Sequence, residues 1–282
     1  FVPESFMKLL EKRSIIEVSL GDSISRSMTV MFSDIRSFTD ISESLTPSQN
    51  FSFLNDYLRR MGPCIRDGGG FIDKYIGDAI MALFPNNCED ALRAAIRMRK
   101  LLLDYNRERI RTGLAPIETG TGIHYGSVIL GTIGEDERME GTVISDTVNL
   151  ASRLEGLTKH YGAAIVVSQP FLDEMTSRDE FSVRSLGRVR VKGKSDAVSI
   201  FEVFDGDADE QFQLKSQTRN EFEAGLQSFL DRDFARAEDV LSAVVAVNPR
   251  DKAAHLILAR SAHLEKTGVP PDWEPVETML AK

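Results

Sequence analysis

Gly77-Asp78 separates two short strand-like runs, residues 71–76 (FIDKYI) and 79–84 (AIMALF). A connection this short cannot hold a crossover, so the two runs must form an antiparallel hairpin. Further strand signals lie at residues 28–32, at 119–123 and 127–133 on either side of Tyr125-Gly126, and at 164–167. Two more, 181–191 and 198–204, flank Lys192-Gly193-Lys194. Helical periodicity fills the intervals. Thr46-Pro47 opens a helix by the cap-then-proline pattern. That helix carries Phe51, Leu54, Tyr57, Leu58 and Met61 on one face and stops at Asp67-Gly68-Gly69-Gly70. Residues 88–111 and 146–160 read as longer helices, the second capped by Ser145 or Asp146, and Pro170 begins a short one. Hairpins dominate the strand connections. The pattern therefore predicts an α+β fold, a mixed and largely antiparallel sheet flanked by helices, rather than a doubly wound parallel sheet.

The ends of the chain read differently. Residues 1–26 form a lead-in, with Phe6, Leu9 and Leu10 at helical spacing and a turn signal at Gly21-Asp22. The first residue is Phe1, which predicts that something upstream has been left out. Residues 27–205 hold the alternating strands and helices. Residues 205–210 are acidic and lack large apolar side chains, so 206–218 is expected to be a linker. Residues 219–282 then turn to pure helix: one stripe holds Phe222, Leu226, Phe229 and Leu230, a second Phe234, Ala237, Val240, Leu241 and Val244, a third His255, Leu256, Leu258, Ala259 and Ala262. The placement of Gly225, Ala237 and Pro249 resembles a tetratricopeptide repeat. One helical pair cannot bury its own apolar faces, so this small C-terminal appendage is expected to pack on the main domain or on a partner chain. The tail around Pro270-Pro271-Asp272-Trp273 is expected to be extended, with its single Trp docked.

The 282 residues carry a formal charge of −9. That balance argues against nucleic acid as a partner, which demands clustered Lys and Arg. A nucleotide substrate is still open to an acidic chain, because metal ions can supply the local positive charge. Two cysteines, Cys64 and Cys88, predict a reducing compartment without a disulfide framework. No signal peptide and no run of eighteen apolar residues is visible. The expected setting is cytoplasmic, and membrane anchoring of a longer protein is left open.

Two carboxylates carry the chemistry. Asp34 ends the first strand in Phe32-Ser33-Asp34-Ile35-Arg36-Ser37-Phe38-Thr39, and Asp78 sits in the hairpin turn of Lys74-Tyr75-Ile76-Gly77-Asp78-Ala79. Singly, each is an ordinary strand-end or turn Asp. On neighbouring strands they would project from one sheet edge, where two carboxylates and a triphosphate can hold two hard cations. Together with a third segment, Gly141-Thr142-Val143-Ile144-Ser145-Asp146-Thr147-Val148-Asn149-Leu150-Ala151-Ser152-Arg153, these segments closely resemble the class III nucleotide cyclases, over about residues 27–204. The resemblance implies a cyclase homology domain with a ferredoxin-like core. It also implies conversion of ATP to 3′,5′-cyclic AMP and pyrophosphate, with two divalent cations, Mg²⁺ or Mn²⁺.

Residue by residue, the resemblance implies that Asp34, Asp78 and the carbonyl of Ile35 are metal ligands. Backbone amides from Ile35 through Phe38 and Thr39 would hold the β- and γ-phosphates, in keeping with anion binding at helix starts. Asn149 and Arg153, four apart on one helix face, would orient the ribose and stabilise charge at phosphorus. Lys192 would contact the terminal phosphates. Lys74 and Thr142 would read the base: an ammonium donates to adenine N1 and a hydroxyl accepts from N6, whereas guanine's donors call for a carboxylate. The family's sites are shared, with Asp34 and Asp78 from one subunit and Lys74, Thr142, Asn149, Arg153 and Lys192 from the other. The chain carries both sets, so a homodimer with two equivalent sites is implied, with an upstream regulatory domain acting through residues 1–26. The alternatives are a guanylyl cyclase, disfavoured by Lys74 and Thr142, and a nucleotide-sensing module without turnover, whose mark would be loss of Asp34, Asp78, Asn149 or Arg153. His124, His160, His255 and His263 are scattered and read as structural or surface residues.

Overall fold

A computed structural model describes residues 4–12, 17–135, 138–191, 197–270 and 273–279. A short helix α1 (Glu4–Leu9) precedes β1 (Ser23–Ile35). Then come α2 (Phe38–Glu43), α3 (Pro47–Asp67), the hairpin β2 (Phe71–Ile76) and β3 (Ala79–Phe84), and α4 (Cys88–Arg111). The next elements are β4 (Thr119–Glu135), β5 (Arg138–Ile144), α5 (Asp146–Tyr161), β6 (Ile165–Ser168) and α6 (Gln169–Glu174). The chain closes with β7 (Val183–Val191), β8 (Ala197–Val203), α7 (Asp209–Leu230), α8 (Phe234–Val247), α9 (Lys252–Thr267) and β9 (Val276–Met279). The strands form one mixed sheet in the order β2-β3-β1-β4-β6-β8-β7-β9, with β5 paired to β4 off that path. All the pairings are antiparallel except β4 with β6 and β7 with β9. The α+β architecture with a mostly antiparallel sheet is thus the observed one.

Strand alternation decides what packs where. Met31 and Ile35 of β1, with Ile80, Ala82 and Phe84 of β3, join Tyr57, Met61, Leu92 and Met98 of α3 and α4 in one core. Met28, Val30 and Phe32, with Met81 and Leu83, face the other way onto Phe6 of α1, Val143 of β5 and Ala151 of α5. The third core belongs to the C-terminal helices. Leu154 and Leu157 of α5 and Ile200 of β8 pack with Phe222, Leu226, Leu241, Val244 and Ile257. The first two stripes are therefore buried against the main sheet. α9 instead turns Ala253, Ala254, Ile257 and Leu264 inward rather than the expected third stripe, whose His255 and Ala259 are exposed. Trp273 docks edge-on against Phe229 and Phe234, 5.7 Å from each ring.

Four local expectations are corrected. Tyr125-Gly126 is not a turn: β4 runs through it as one strand, with Tyr125 opposite Thr29 and Gly126 opposite Met28. The actual hairpin comes later and adds β5, which sequence periodicity did not show. Residues 23–26, read as part of the lead-in, already belong to β1. Most of the expected linker 206–218 is helix, since α7 begins at Asp209 and the appendage has three helices rather than a pair.

The reason for the last correction is a buried ionic network. Arg184 of β7, 1% exposed, donates to Glu202 at 2.6 Å and through two nitrogens to Asp251 at 2.5 and 3.0 Å. Lys215 of α7 reaches Glu202 at 2.5 Å and Asp207 at 2.6 Å. Asp251 also caps α9 by accepting from the Ala254 amide. Truncating one member of such a network leaves an uncompensated buried charge. Asp251→Ala is expected to lower the free energy of unfolding by about 3–5 kcal/mol, read as a fall in the urea midpoint. A loss within a few tenths of a kcal/mol would mean that the network does not hold the appendage. Among the described residues, no helix is long and apolar enough to cross a membrane.

Candidate active site

Asp34 is the penultimate residue of β1, and the β1–β3 ladder ends with Ser33 opposite Ile80. The turn before β3 therefore carries Asp78 to the same edge. Gly77 takes φ 64 in that turn, a left-handed conformation that costs a glycine little. The side chain of Ile35 is buried in the core and anchors the strand end. Its amide donates to both carboxylates, to Asp34 Oδ1 at 3.0 Å and to Asp78 Oδ2 at 3.2 Å. Burial, then the hydrogen bond and charge of Asp78, and then the charge of Glu155, push the Asp34 carboxyl up to about 8. Two carboxylates crowded into one half-buried site must share a proton or take up a cation. The donors on offer, two carboxylates beside a strand-end carbonyl, suit a hard divalent ion.

The chain then turns sharply. The Arg36 amide bonds the Glu118 carbonyl at 2.8 Å, and Ser37 sits at φ 54, ψ 35, a strained left-handed position for a residue with a side chain. Phe38 opens α2 but points into the core, stacked on Phe53 with ring centroids 6.4 Å apart, and Thr39 is exposed.

Lys74 and Thr142 are 68 residues apart in sequence, yet Lys74 Nζ donates to Thr142 Oγ1 at 3.1 Å. In a flat sheet, the four strand intervals from β2 to β5 would separate them by about 19 Å. The sheet must curl to close that distance, and Phe6, Phe71 and Val143 fill the inside of the curl. Asp73 and Glu140 flank the ammonium at 3.5 and 3.6 Å.

α5 starts at the Ser145 cap, whose hydroxyl accepts from the Thr147 amide. It lies unusually close to β4: a Cβ on Gly122 would stand 2.1 Å from the Glu155 amide nitrogen. Asn149 is exposed and Arg153 half-buried, and among the described residues neither side chain has a hydrogen-bonding or ion-pair partner. Arg153 and Glu155, two apart on α5, form no ion pair with each other. Glu155 instead acts electrostatically on Asp34, a role that helical spacing alone could not show. Lys192 lies outside the described residues. The structure thus joins Asp34 with Asp78 and Lys74 with Thr142, while Asn149 and Arg153 share a separate helix face.

Fold and site together define a class, a curled α+β sheet that presents two crowded carboxylates at one edge. Residues 22–205 match the family model described as the adenylate and guanylate cyclase catalytic domain, and the chain belongs to that family. It is 47% identical over 209 residues to an adenylate cyclase of Anabaena cylindrica, covering 72% of this chain and 42% of that protein. It is 39% identical over 273 residues to the terminal-differentiation-specific adenylate cyclase of Dictyostelium discoideum, covering 95% of this chain and 13% of that one. The crystal structure of the adenylyl cyclase CyaB from P. aeruginosa superposes with a TM-score of 0.57 at 34% identity, over 64% of this chain and 95% of that chain. The chain spans less than half the length of these two curated relatives.

Proposed function

We propose that this chain is the catalytic part of an adenylyl cyclase, converting ATP to 3′,5′-cyclic AMP and pyrophosphate as a homodimer with shared sites. The observation that carries the choice of nucleotide is the Lys74–Thr142 pair. It presents a cationic donor and a hydroxyl side by side, the polarity complementary to N1 and the N6 amine of adenine. A guanine edge would oppose its N1–H to the Lys74 ammonium. The name of the Anabaena relative supports the same reading.

Asp34, Asp78 and the Ile35 carbonyl would hold two divalent cations, Mg²⁺ or Mn²⁺, completed by oxygens of the nucleotide, since no three acidic, His or Cys side chains converge among the described residues. Such ions supply charge neutralisation at the triphosphate and lower the pKa of the attacking hydroxyl. The nucleophile is the substrate's own 3′-oxygen. It bonds to the α-phosphorus as its proton leaves, and the bond from that phosphorus to the bridging oxygen breaks to release pyrophosphate. Asn149 orients the ribose and Arg153 stabilises the charge that develops on the α-phosphate. Amides from Ile35 to Thr39 receive the β- and γ-phosphates, and Lys192 adds charge there on the strength of the sequence alone. The cytoplasm is the compartment that matches the ATP requirement and the two unpaired, buried thiols. Residues 1–22, which precede β1, would connect to an upstream regulatory domain.

The unpartnered Asn149 and Arg153 face supports sharing between subunits. Asp34→Ala and Arg153→Ala are each expected to be inactive. Co-expressed, they assort into heterodimers with both lesions in one site and none in the other, so about a quarter of wild-type cyclic AMP formation should return. Verified heterodimers that form no cyclic AMP would rule out a composite site.

A further inference from the structure

A cavity of about 130 Å³ lies where the C-terminal helices meet the main domain, bounded by the loop after β1, by α4, by the start of β4 and by α7 and the start of α9. Its charge is unlike that of the chain. The protein as a whole carries −9, yet among the described residues six cationic side chains and three carboxylates line this space. Arg184 and Lys215 are already committed to Glu202, Asp207 and Asp251. Arg36 and Arg99 are not fully used. Arg36 gives one terminal nitrogen to Glu118 at 3.0 Å and the other to the carbonyls of Thr158 and Ala163, which leaves Nε buried without an acceptor. Arg99 has no ion pair or hydrogen bond among the described residues, and its Nε is also orphaned. Burial pulls the Arg99 pKa below its ordinary value, and the charges of Asp207 and Glu118 only offset this. The third orphan is Gln211 Nε2, on the first turn of α7.

Three buried donors from three elements thus belong to side chains that line one cavity, and none has an acceptor among the described residues. Native structures rarely leave such groups unpaired. A single carboxylate has two oxygens to offer, whereas a phosphate offers tetrahedrally arranged acceptors that match Arg forks. The volume exceeds the roughly 30 Å³ share of one water in the liquid. We propose that this cavity is a phosphate-class oxyanion site, separate from the paired carboxylates, that ties the C-terminal helices to the segment following Asp34 and Ile35. Arg36 is the link, since it adjoins Ile35 in sequence and lines the cavity with its side chain. The assignment is independent of which nucleotide the active site takes.

The test is titration of the full chain in EDTA, so that no divalent ion recruits phosphate to the carboxylates. Inorganic phosphate and glycerol phosphate are the two probes, against sodium chloride at matched ionic strength, with calorimetry for affinity and the thermal midpoint for linkage. Wild type should show saturable binding of inorganic phosphate and a rising midpoint; a like response to glycerol phosphate extends the site to phosphomonoesters. Arg99→Gln should weaken that affinity about ten- to hundredfold. Gln211→Glu, which puts a carboxylate in place of a side-chain amide that lines the cavity, should do the same and serves if Arg99→Gln fails to fold. Arg153→Ala should bind as wild type does. Absence of saturable binding in wild type would mean the cavity holds only water. Affinity unmoved by the cavity substitutions, or lost in Arg153→Ala, would place the anion elsewhere. Each of these last results overturns the assignment.

Discussion

Asp34→Ala and Asp78→Ala are each expected to reduce cyclic AMP formation by about a thousandfold or more, with either Mg²⁺ or Mn²⁺ supplied. The magnitude follows from what the pair would do. Metal-assisted and electrostatic stabilisation of phosphoryl transfer is worth several kcal/mol, and each 1.4 kcal/mol is roughly tenfold in rate. Neither carboxylate can replace the other, because one reaches the site from the end of β1 and the other from the β2–β3 turn, and the Ile35 amide bonds both. The substitutions should leave the fold intact: Asp34 is only half-buried and Asp78 lies in a turn, outside the hydrophobic clusters. The pair also crowds its own charge, which is part of what pushes Asp34 up to about 8, so removing Asp78 should let the remaining carboxyl ionise more readily. The measurement is initial rate at saturating ATP and metal, alongside circular dichroism of each variant. A well-folded variant with near-normal rate would remove the basis for the metal assignment.

The double change Lys74→Glu with Thr142→Cys is expected to lower ATP use sharply and to raise the proportion of cyclic GMP. In the native chain the ammonium and the hydroxyl meet at 3.1 Å, with Asp73 and Glu140 beside the ammonium. Glutamate in place of Lys74 would turn the donor into an acceptor, complementary to the N1–H and N2–H of guanine. Each buried polar group left facing its own kind costs about 1–3 kcal/mol, or roughly ten- to hundredfold in rate. The loss on ATP should exceed the gain on GTP, because the introduced carboxylate would stand beside those of Asp73 and Glu140, and their repulsion works against the new pocket. The readout is the ratio of cyclic AMP to cyclic GMP at equal nucleotide. A wild-type preference for GTP, or a ratio that the double change leaves in place, would show that these two residues do not read the base.

Much of the fold was legible because its signals are local. The Gly77-Asp78 turn can only close a hairpin, the Ser145 cap can only start a helix, and both stand where the sequence puts them. The misreadings occurred where a local signal was outweighed. Tyr125-Gly126 resembles a turn, but thirteen residue pairs with β1 keep β4 extended through it. Residues 209–218 lack a strong apolar stripe and so resemble a linker. They are helical because Lys215 is drawn into the buried charge network by Glu202 and Asp207, partners that lie outside the helix.

The division at the site has the same cause. The sequence determined the candidates by resemblance rather than by residue type or spacing: Asp34, Asp78, Asn149 and Arg153 stand in short motifs similar to those of the cyclases, and singly each would read as an ordinary residue. Tertiary structure alone decided who meets whom. The curl of the sheet brings Lys74 to Thr142, the bare backbone of Gly122 lets α5 settle where Glu155 acts on Asp34, and the packing of α7 and α9 against the sheet creates a cationic cavity in an acidic chain. Contacts between residues tens to hundreds of positions apart have no local pattern in the sequence. They exist only after the long-range burial of apolar faces has closed the chain on itself.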